Sequence, residues 1–223
     1  ALLLDLMLHD LHLDLIKKHK TDFSSIFFNA GAHIQHHYFF NSKHFRQKNL
    51  TNPKWYIKKK YDPILDMILF YDKILSEYKE LNKYEIILAT GLSQEPYNRV
   101  KYYYRLKNHA DFFKNLNINF LKIEPRMTRD FLVIFKDDNE KNSAIQKLNK
   151  LNQVNKKEIF SFEDRNNSIF VTLKLHEEVN KNEQILIQDE KKMLIKDHIV
   201  FVALKNGMHN SKGYFYSTFD EGE

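Results

Sequence analysis

The sequence contains no cysteine, and it has only 5 glycines and 4 prolines among its 223 residues. Without cysteine there is no disulfide framework and no thiolate, so any metal must be held by imidazole, carboxylate or amide groups. The hydrophobic share of 43% is sufficient for a packed core, which excludes wholesale disorder. The length fits one large domain, or one domain with a small insert.

Long uninterrupted apolar runs are also missing. The leucine-rich stretch 1–16 contains several aspartates and histidines, so it cannot span a bilayer, and it lacks the basic start of a signal peptide. The missing signal peptide favours a cytoplasmic location. The sequence begins with Ala1 inside an apparent element rather than with Met, which predicts a fragment of a longer protein.

Arginine is scarce for such a basic chain. The net charge is +6, which raises nucleic acid as a partner, yet the cations are 29 lysines and only 6 arginines. Because base and phosphate recognition relies on the bidentate arginine fork, this balance argues against a nucleic-acid interface. The densest basic run, 54–61, is interpreted as a solvated face, and a nucleic-acid-binding module remains a minor alternative.

The hydrophobic pattern predicts an α/β fold with a mixed sheet flanked by helices. Asp62 and Pro63 mark the clearest helix start, since Asp caps a helix and Pro suits its first position. Predicted helices cover 4–20, 32–40, 62–82, 98–115 and 139–151, and predicted strands cover 24–28, 85–90, 117–123, 131–135, 158–162, 168–175 and 199–204. We expect residues 1–128 and 196–223 to form one α/β core, and 129–195 to form an inserted small α+β subdomain.

Three glycines follow predicted strands directly or within a few residues. Gly31, Gly91 and Gly207 each come after a β-branched or aromatic run and one to three small or polar residues. The pattern predicts tight turns, where a positive φ or a close ligand leaves no room for a Cβ atom. Because ligands of α/β sheets bind at the carboxyl ends of the strands, these three loops form the candidate site.

Histidines accompany two of these glycines. His33, His36 and His37 follow Gly31 at the i, i+3 and i+4 spacing of one helix face, and His209 follows Gly207. We expect Asn29, His33 and His209 to meet at a shared divalent metal or anion, since imidazole and amide oxygen both coordinate such metals. For His36 and His37 the alternative is an ordinary histidine in the core or on the surface.

These segments resemble a known family. The segments 29–33, 90–94 and 207–213 are similar, in order, to three metal-motif regions of the alkaline phosphatase superfamily, most of all in its type I phosphodiesterase and nucleotide pyrophosphatase branch. The resemblance implies an alkaline-phosphatase-like core sheet, two divalent metals that are usually zinc, and a Thr or Ser nucleophile that attacks phosphorus or sulfur.

The sequence departs from this pattern at several ligands. Asn29 stands where the family has a metal-binding Asp, and Gly91 and Leu92 stand where its Asp and His bind the second metal. His33 and His209 match their positions. The family's nucleophile and first metal-binding Asp would precede Ala1. The resemblance therefore implies a carboxyl-terminal fragment with one metal site at most.

The resulting hypothesis is a metal-dependent hydrolase of small phosphate or sulfate esters, as a fragment without its nucleophile. The alternative is a non-catalytic relative that binds an anion at a degenerate metal site. The candidate substrate contacts are His36, His37, Gln94, Arg126 and Arg129. Each of these contacts also has a structural alternative. The two arginines would instead form salt bridges with Glu124 or Asp130, and Gln94 would instead cap a turn.

Overall fold

The computed structural model describes residues 1–44, 50–187 and 191–219. The chain divides into two compact units: unit 1 comprises 1–100 and 205–223, and unit 2 comprises 101–204. The predicted insert, 129–195, lies within unit 2. No helix in the described ranges combines the length and the apolar character needed to cross a membrane.

The described ranges alternate helices and strands. The helices are α1 (Leu2–Lys18), α2 (Ala30–Tyr38), α3 (Pro63–Glu80), α4 (His109–Asn115), α5 (Asp138–Val154) and α6 (Ile195–His198), and a 3₁₀ turn (Phe39–Asn41) follows α2. The strands are β1 (Ile87–Thr90), β2 (Ser93–Leu106), β3 (Lys122–Pro125), β4 (Asp130–Ile134), β5 (Phe160–Arg165), β6 (Ser168–Leu173), β7 (Gln184–Leu186), β8 (Lys192–Leu194), β9 (Ile199–Asn210) and β10 (Tyr214–Ser217).

Unit 1 packs α2 against α3 around a small apolar core. This core consists of the buried side chains of Ile34, Phe39, Phe40, Ile64 and Met67. The predicted start of α3 is confirmed, because the Asp62 side chain accepts a hydrogen bond from the Leu65 amide at 3.1 Å and Pro63 occupies the first turn. The cap fixes the helix that supports α2.

A buried carboxylate holds the amino end of α2. Asp5 on α1 accepts hydrogen bonds from the amides of Ala30 and Asn29, at 3.0 and 3.3 Å. The Tyr71 hydroxyl donates to the same carboxylate at 2.7 Å and accepts from the Gly31 amide at 2.8 Å. Asp5 therefore satisfies amide groups that have no partner inside the helix, and it ties α1 to α2 and α3.

The strands of unit 1 form short pairs. Strand β1 pairs antiparallel with β10, in a register that runs from Ile87 opposite Ser217 to Thr90 opposite Tyr214. Strands β2 and β9 pair with each other, and the boundary between the units falls within both strands. The second part of β9, from Lys205 to Asn210, therefore belongs to unit 1 and carries His209.

Unit 2 contains a four-stranded antiparallel sheet in the order β3-β4-β6-β5. Its core is aromatic: the rings of Phe113 and Phe131 meet edge to face at 5.6 Å, and those of Phe112 and Phe160 do so at 5.5 Å. Helix α5 buries Ala144, Leu148 and Leu151. This arrangement confirms the predicted strands 131–135, 158–162 and 168–175 and the predicted helix 139–151.

The mixed α/β class is correct, but the predicted arrangement in one mixed sheet differs from what the structure shows. The described strands form four separate small sheets. The prediction of a helix over 98–115 is wrong, because β2 extends to Leu106 before the short α4 begins. The prediction of a buried strand at 24–28 is also wrong: these residues belong to no strand, and Phe27 is 78% exposed.

Gly91 directly follows β1, as expected, but Gly31 and Gly207 do not lie in strand-end turns. Gly31 lies inside α2 and Gly207 inside β9, and none of the glycines in the described ranges has a positive φ. Both positions are crowded instead. A Cβ atom on Gly31 would lie 3.0 Å from the Tyr71 ring, and one on Gly207 would lie 2.7 Å from the carbonyl oxygen of Gln35.

Candidate functional site

Four histidines and one lysine gather where α2 meets the end of β9. The imidazole cluster, as we call it, comprises His33, His36, His37, His209 and Lys205. The ring centroids of His33 and His37 are 4.6 Å apart, and those of His36 and His209 are 4.8 Å apart with perpendicular planes. The Lys205 ammonium lies 3.5 Å from Nε2 of His37. The cluster thus joins residues from two elements that are far apart in sequence.

The backbone periodicities explain this arrangement. On α2, His33, His36 and His37 share one face because of their i, i+3 and i+4 spacing. On β9, Lys205 and His209 lie at alternate positions with Gly207 between them, so all three share one face of the strand. The absence of a side chain at Gly207 lets α2 approach β9 closely enough for the two faces to meet.

His36 is oriented by the strand backbone. Its Nδ1 atom lies 2.9 Å from the carbonyl oxygen of Gly207. A carbonyl oxygen only accepts, so Nδ1 carries the proton and Nε2 of the neutral ring keeps its lone pair. His36 therefore presents either a lone pair or, once protonated, a second N–H donor.

The electrostatics keep two of the rings neutral. Burial lowers the pKa of His33, and the Lys205 charge lowers it further. Burial also lowers the pKa of His36; the Gly207 carbonyl opposes this shift, while Lys205, His209 and His33 add to it. Both rings are consequently uncharged at neutral pH. Burial lowers the pKa of Lys205 as well, because the ammonium has lost part of its hydration.

The predicted metal ligands are only partly brought together. Asn29 immediately precedes α2, one turn before His33, and its side chain makes no capping hydrogen bond. The structure pairs His209 with His36, whereas the His33 ring contacts the His37 ring at a tilt of 52°. Within the described ranges, no group of three or more His, Asp or Glu side chains is arranged to hold a metal ion. A zinc site composed of Asn29, His33 and His209 therefore stays a prediction.

Gln94 lies beside the cluster at the start of β2. Its Nε2 donates to the carbonyl oxygen of Ala32 at 3.1 Å. Its Oε1 is buried, and it has no hydrogen-bond partner within the described part of the chain. A buried acceptor without a donor is energetically costly.

The two predicted arginine contacts lie in unit 2 and have protein partners. Arg126 forms an ion pair with Glu124 at 3.3 Å, which is one of the two salt bridges considered from the sequence. The Arg129 guanidinium lies 4.2 Å from the centroid of the Tyr103 ring, and its nitrogen is 3.2 Å from Nδ1 of His176. Arg129 is therefore engaged with an aromatic ring and a histidine rather than with Asp130.

Lys205 is the cluster residue that sequence reasoning missed. The predicted strand ended at residue 204, which assigned Lys205 to a loop. In the structure β9 continues to Asn210. The signal was the alternation of Lys205, Gly207 and His209, a spacing of two that places residues on one face of a strand.

Comparison with known proteins identifies no relative of this chain. No family model, no curated protein and no solved structure matches the chain.

Proposed function

We propose that the imidazole cluster binds the anionic group of a small phosphate or sulfate ester. The position of Lys205 carries this proposal. Its ammonium lies beside the His37 ring of α2, and it shares one face of β9 with His209. A cationic side chain surrounded by imidazoles provides charge and N–H donors for a tetrahedral oxyanion.

The partial burial of Lys205 supports the same proposal. Burial removes hydration from the ammonium and thereby lowers its pKa. An anion in contact would replace the lost hydration with a charge-assisted hydrogen bond. The anion would also raise the pKa of His33 and His36, so protonated rings would add donors. Binding is thereby coupled to proton uptake.

The neighbouring Gln94 fits the uncharged part of an ester. Its buried Oε1 has no donor among the described residues, and its Nε2 is held by Ala32 next to His33. A hydroxyl group on the alcohol portion of the ester would satisfy this oxygen. An ester with a polar alcohol should accordingly bind more tightly than the inorganic anion.

Exchange of Lys205 tests the proposal directly. Lys205→Met retains the aliphatic length but removes the charge, and one charge-assisted hydrogen bond contributes roughly 1.5–3 kcal/mol. We expect the affinity for p-nitrophenyl phosphate and for sulfate to fall about tenfold or more. Isothermal titration calorimetry at constant ionic strength provides the measurement.

The matched control is Lys212→Met, which removes an exposed lysine of the same chain segment and should leave both affinities unchanged. The pH provides a second check. Since the pKa values of His33 and His36 are below their ordinary value in the free protein and rise on binding, affinity should be higher at pH 6 than at pH 8. Equal affinity of wild type and Lys205→Met would contradict the proposal.

A second candidate is metal-dependent hydrolysis of the same esters, as in the alkaline phosphatase superfamily that the motifs resemble. The bond from His36 Nδ1 to the Gly207 carbonyl favours it, because metal-binding histidines usually anchor their other nitrogen in this way. The bound metal would supply Lewis acidity for ester cleavage. The Lys205 charge opposes it, since an ammonium repels a dication.

Zinc binding separates the two candidates. If the cluster is a metal site, the wild type should retain zinc after dialysis, His209→Ala should lose it, and Lys205→Met should bind it more tightly because a repulsive charge is gone. Metal analysis together with turnover of bis(p-nitrophenyl) phosphate and p-nitrophenyl sulfate provides the measurement. Zinc content that is unaffected by His209→Ala would remove His209 from the site.

A further inference from the structure

A second set of hydrogen-bonded polar side chains lies on α1 and α3, among residues outside the imidazole cluster. The Ser24 hydroxyl lies 2.6 Å from Nε2 of His12, and Nδ1 of the same ring lies 2.8 Å from the Tyr78 hydroxyl. These three residues, the Ser24 relay, come from α1, from the segment that follows it and from α3. Both nitrogens of one imidazole are therefore engaged by hydroxyl groups.

The relay has the connectivity of an activated serine. With its proton on Nδ1, His12 donates to the Tyr78 oxygen, and the lone pair on Nε2 accepts the Ser24 proton. Burial lowers the pKa of His12, and the neighbouring His9 lowers it further. The ring is thus neutral at pH 7, as a general base must be.

The contacts around the relay keep the Tyr78 phenol protonated and hold it beside His12. Burial raises the pKa of Tyr78 to about 12, and Asp10 and Glu77 contribute to that shift, so the phenol keeps its proton. His9 Nε2 is paired with Glu77 at 3.0 Å, and its ring packs edge-on against Tyr78. These contacts hold Tyr78, and Tyr78 in turn holds the His12 ring.

The surroundings of Ser24 are accessible and apolar. Ser24 itself is exposed. Leu8 and Leu15, one turn before and one turn after His12 on α1, are 38% and 44% exposed, and Phe23 is 82% exposed. An uncharged ligand with an apolar acyl group fits such a surface better than a phosphate or sulfate does.

We propose that Ser24 is a nucleophile for acyl transfer from uncharged, apolar carboxylic esters, with His12 as its general base. The Ser24 oxygen forms a bond to the ester carbonyl carbon while its proton passes to Nε2 of His12. The bond from that carbon to the leaving oxygen then breaks, and His12 returns the proton to the departing alcohol. Water releases the acyl group from Ser24 by the same proton transfers, which yields a carboxylic acid. Tyr78 is a positioning residue.

The experiment combines covalent labelling with ester hydrolysis. An alkyl fluorophosphonate should label Ser24, as identified by peptide mass spectrometry, and p-nitrophenyl butyrate should be hydrolysed. Ser24→Ala should abolish both signals. Ser25→Ala is the matched control, because it removes a neighbouring exposed serine for which the structure gives no bond to His12. It should leave both signals intact.

Two variants examine the base and its support. His12→Gln should slow labelling and hydrolysis by roughly a hundredfold, since general-base catalysis contributes about 10²–10⁴-fold. Tyr78→Phe should keep the label on Ser24 but shift the pH at which hydrolysis is half maximal. Circular dichroism confirms that each variant is folded. Labelling elsewhere, or labelling unchanged in folded His12→Gln, would overturn the proposal.

Discussion

Replacing Asn206 with leucine should lower the free energy of unfolding by about 2–6 kcal/mol, because two buried polar groups lose a partner at a cost of about 1–3 kcal/mol each. Asn206 is fully buried, and its Oδ1 accepts from the Phe40 amide at 3.2 Å and from Asn52 at 2.8 Å. Its Nδ2 donates back to Asn52 at 2.9 Å. Leucine has a similar volume but can make none of these bonds.

The penalty arises from the groups left behind. Without Asn206, the Phe40 amide and the Asn52 side chain lose partners in a region that water does not reach, although Asn52 still reaches Asn41 at 2.8 Å. Urea unfolding followed by circular dichroism measures the effect. Asn98→Leu, at an exposed position of β2, is the control and should change stability by less than about 0.5 kcal/mol. A loss below about 1 kcal/mol for Asn206→Leu would contradict the proposed role of the network.

Replacing Gly207 with alanine should cost about 2–3 kcal/mol, because overpacking forces backbone to move. The new Cβ would lie 2.7 Å from the carbonyl oxygen of Gln35 and 2.8 Å from two carbons of the Phe39 ring. Neither neighbour is the tip of a flexible side chain. Helix α2 would have to move away from β9, which would also stretch the bond between His36 and the Gly207 carbonyl.

Gly91→Ala is the matched control for this substitution. A Cβ at Gly91 meets no atom within 4 Å, and no glycine of the described ranges has a positive φ. Alanine there should be neutral, or stabilising by about 0.4–1 kcal/mol through the unfolded chain. Equal effects of the two substitutions, measured by urea unfolding, would show that α2 and β9 are not closely packed.

Helices with their own start signals could be predicted from the sequence. The Asp62 and Pro63 signal located α3, and the periodic hydrophobic pattern, in which Leu4, Leu8, Leu11 and Leu15 fall on one helix face, located α1. The periodicity did not reveal which face of α1 packs inward. The structure buries Asp5 and His9, whereas Leu4 and Leu11 are exposed. Asp5 and His9 are buried because side chains and amides distant in sequence bond to them, and no local pattern contains that information.

Aromatic runs were harder to interpret. The three tyrosines 102–104 suit either a helix or a strand, and the structure places them in β2, where burial alternates along 101–106. The same holds for the site. Four histidines near glycines indicated where chemistry would concentrate, but their pairing depends on how α2 meets β9. That geometry depends on the packing of Gly207 against Gln35 and Phe39, which only the folded chain shows.

The carboxylate of Asp5 has one more consequence for ligand choice. It already occupies the electropositive amino end of α2, so an incoming anion cannot exploit the backbone amides there. In the proposed anion site, attraction would come from Lys205 on β9 and from His33 and His36 farther along α2, whose pKa values are lowered in the free protein. The proposed site would therefore attract its anion through histidines that gain charge as the pH falls, and not through the constant positive end of the helix. Ligand occupancy would then rise as the surroundings become more acidic.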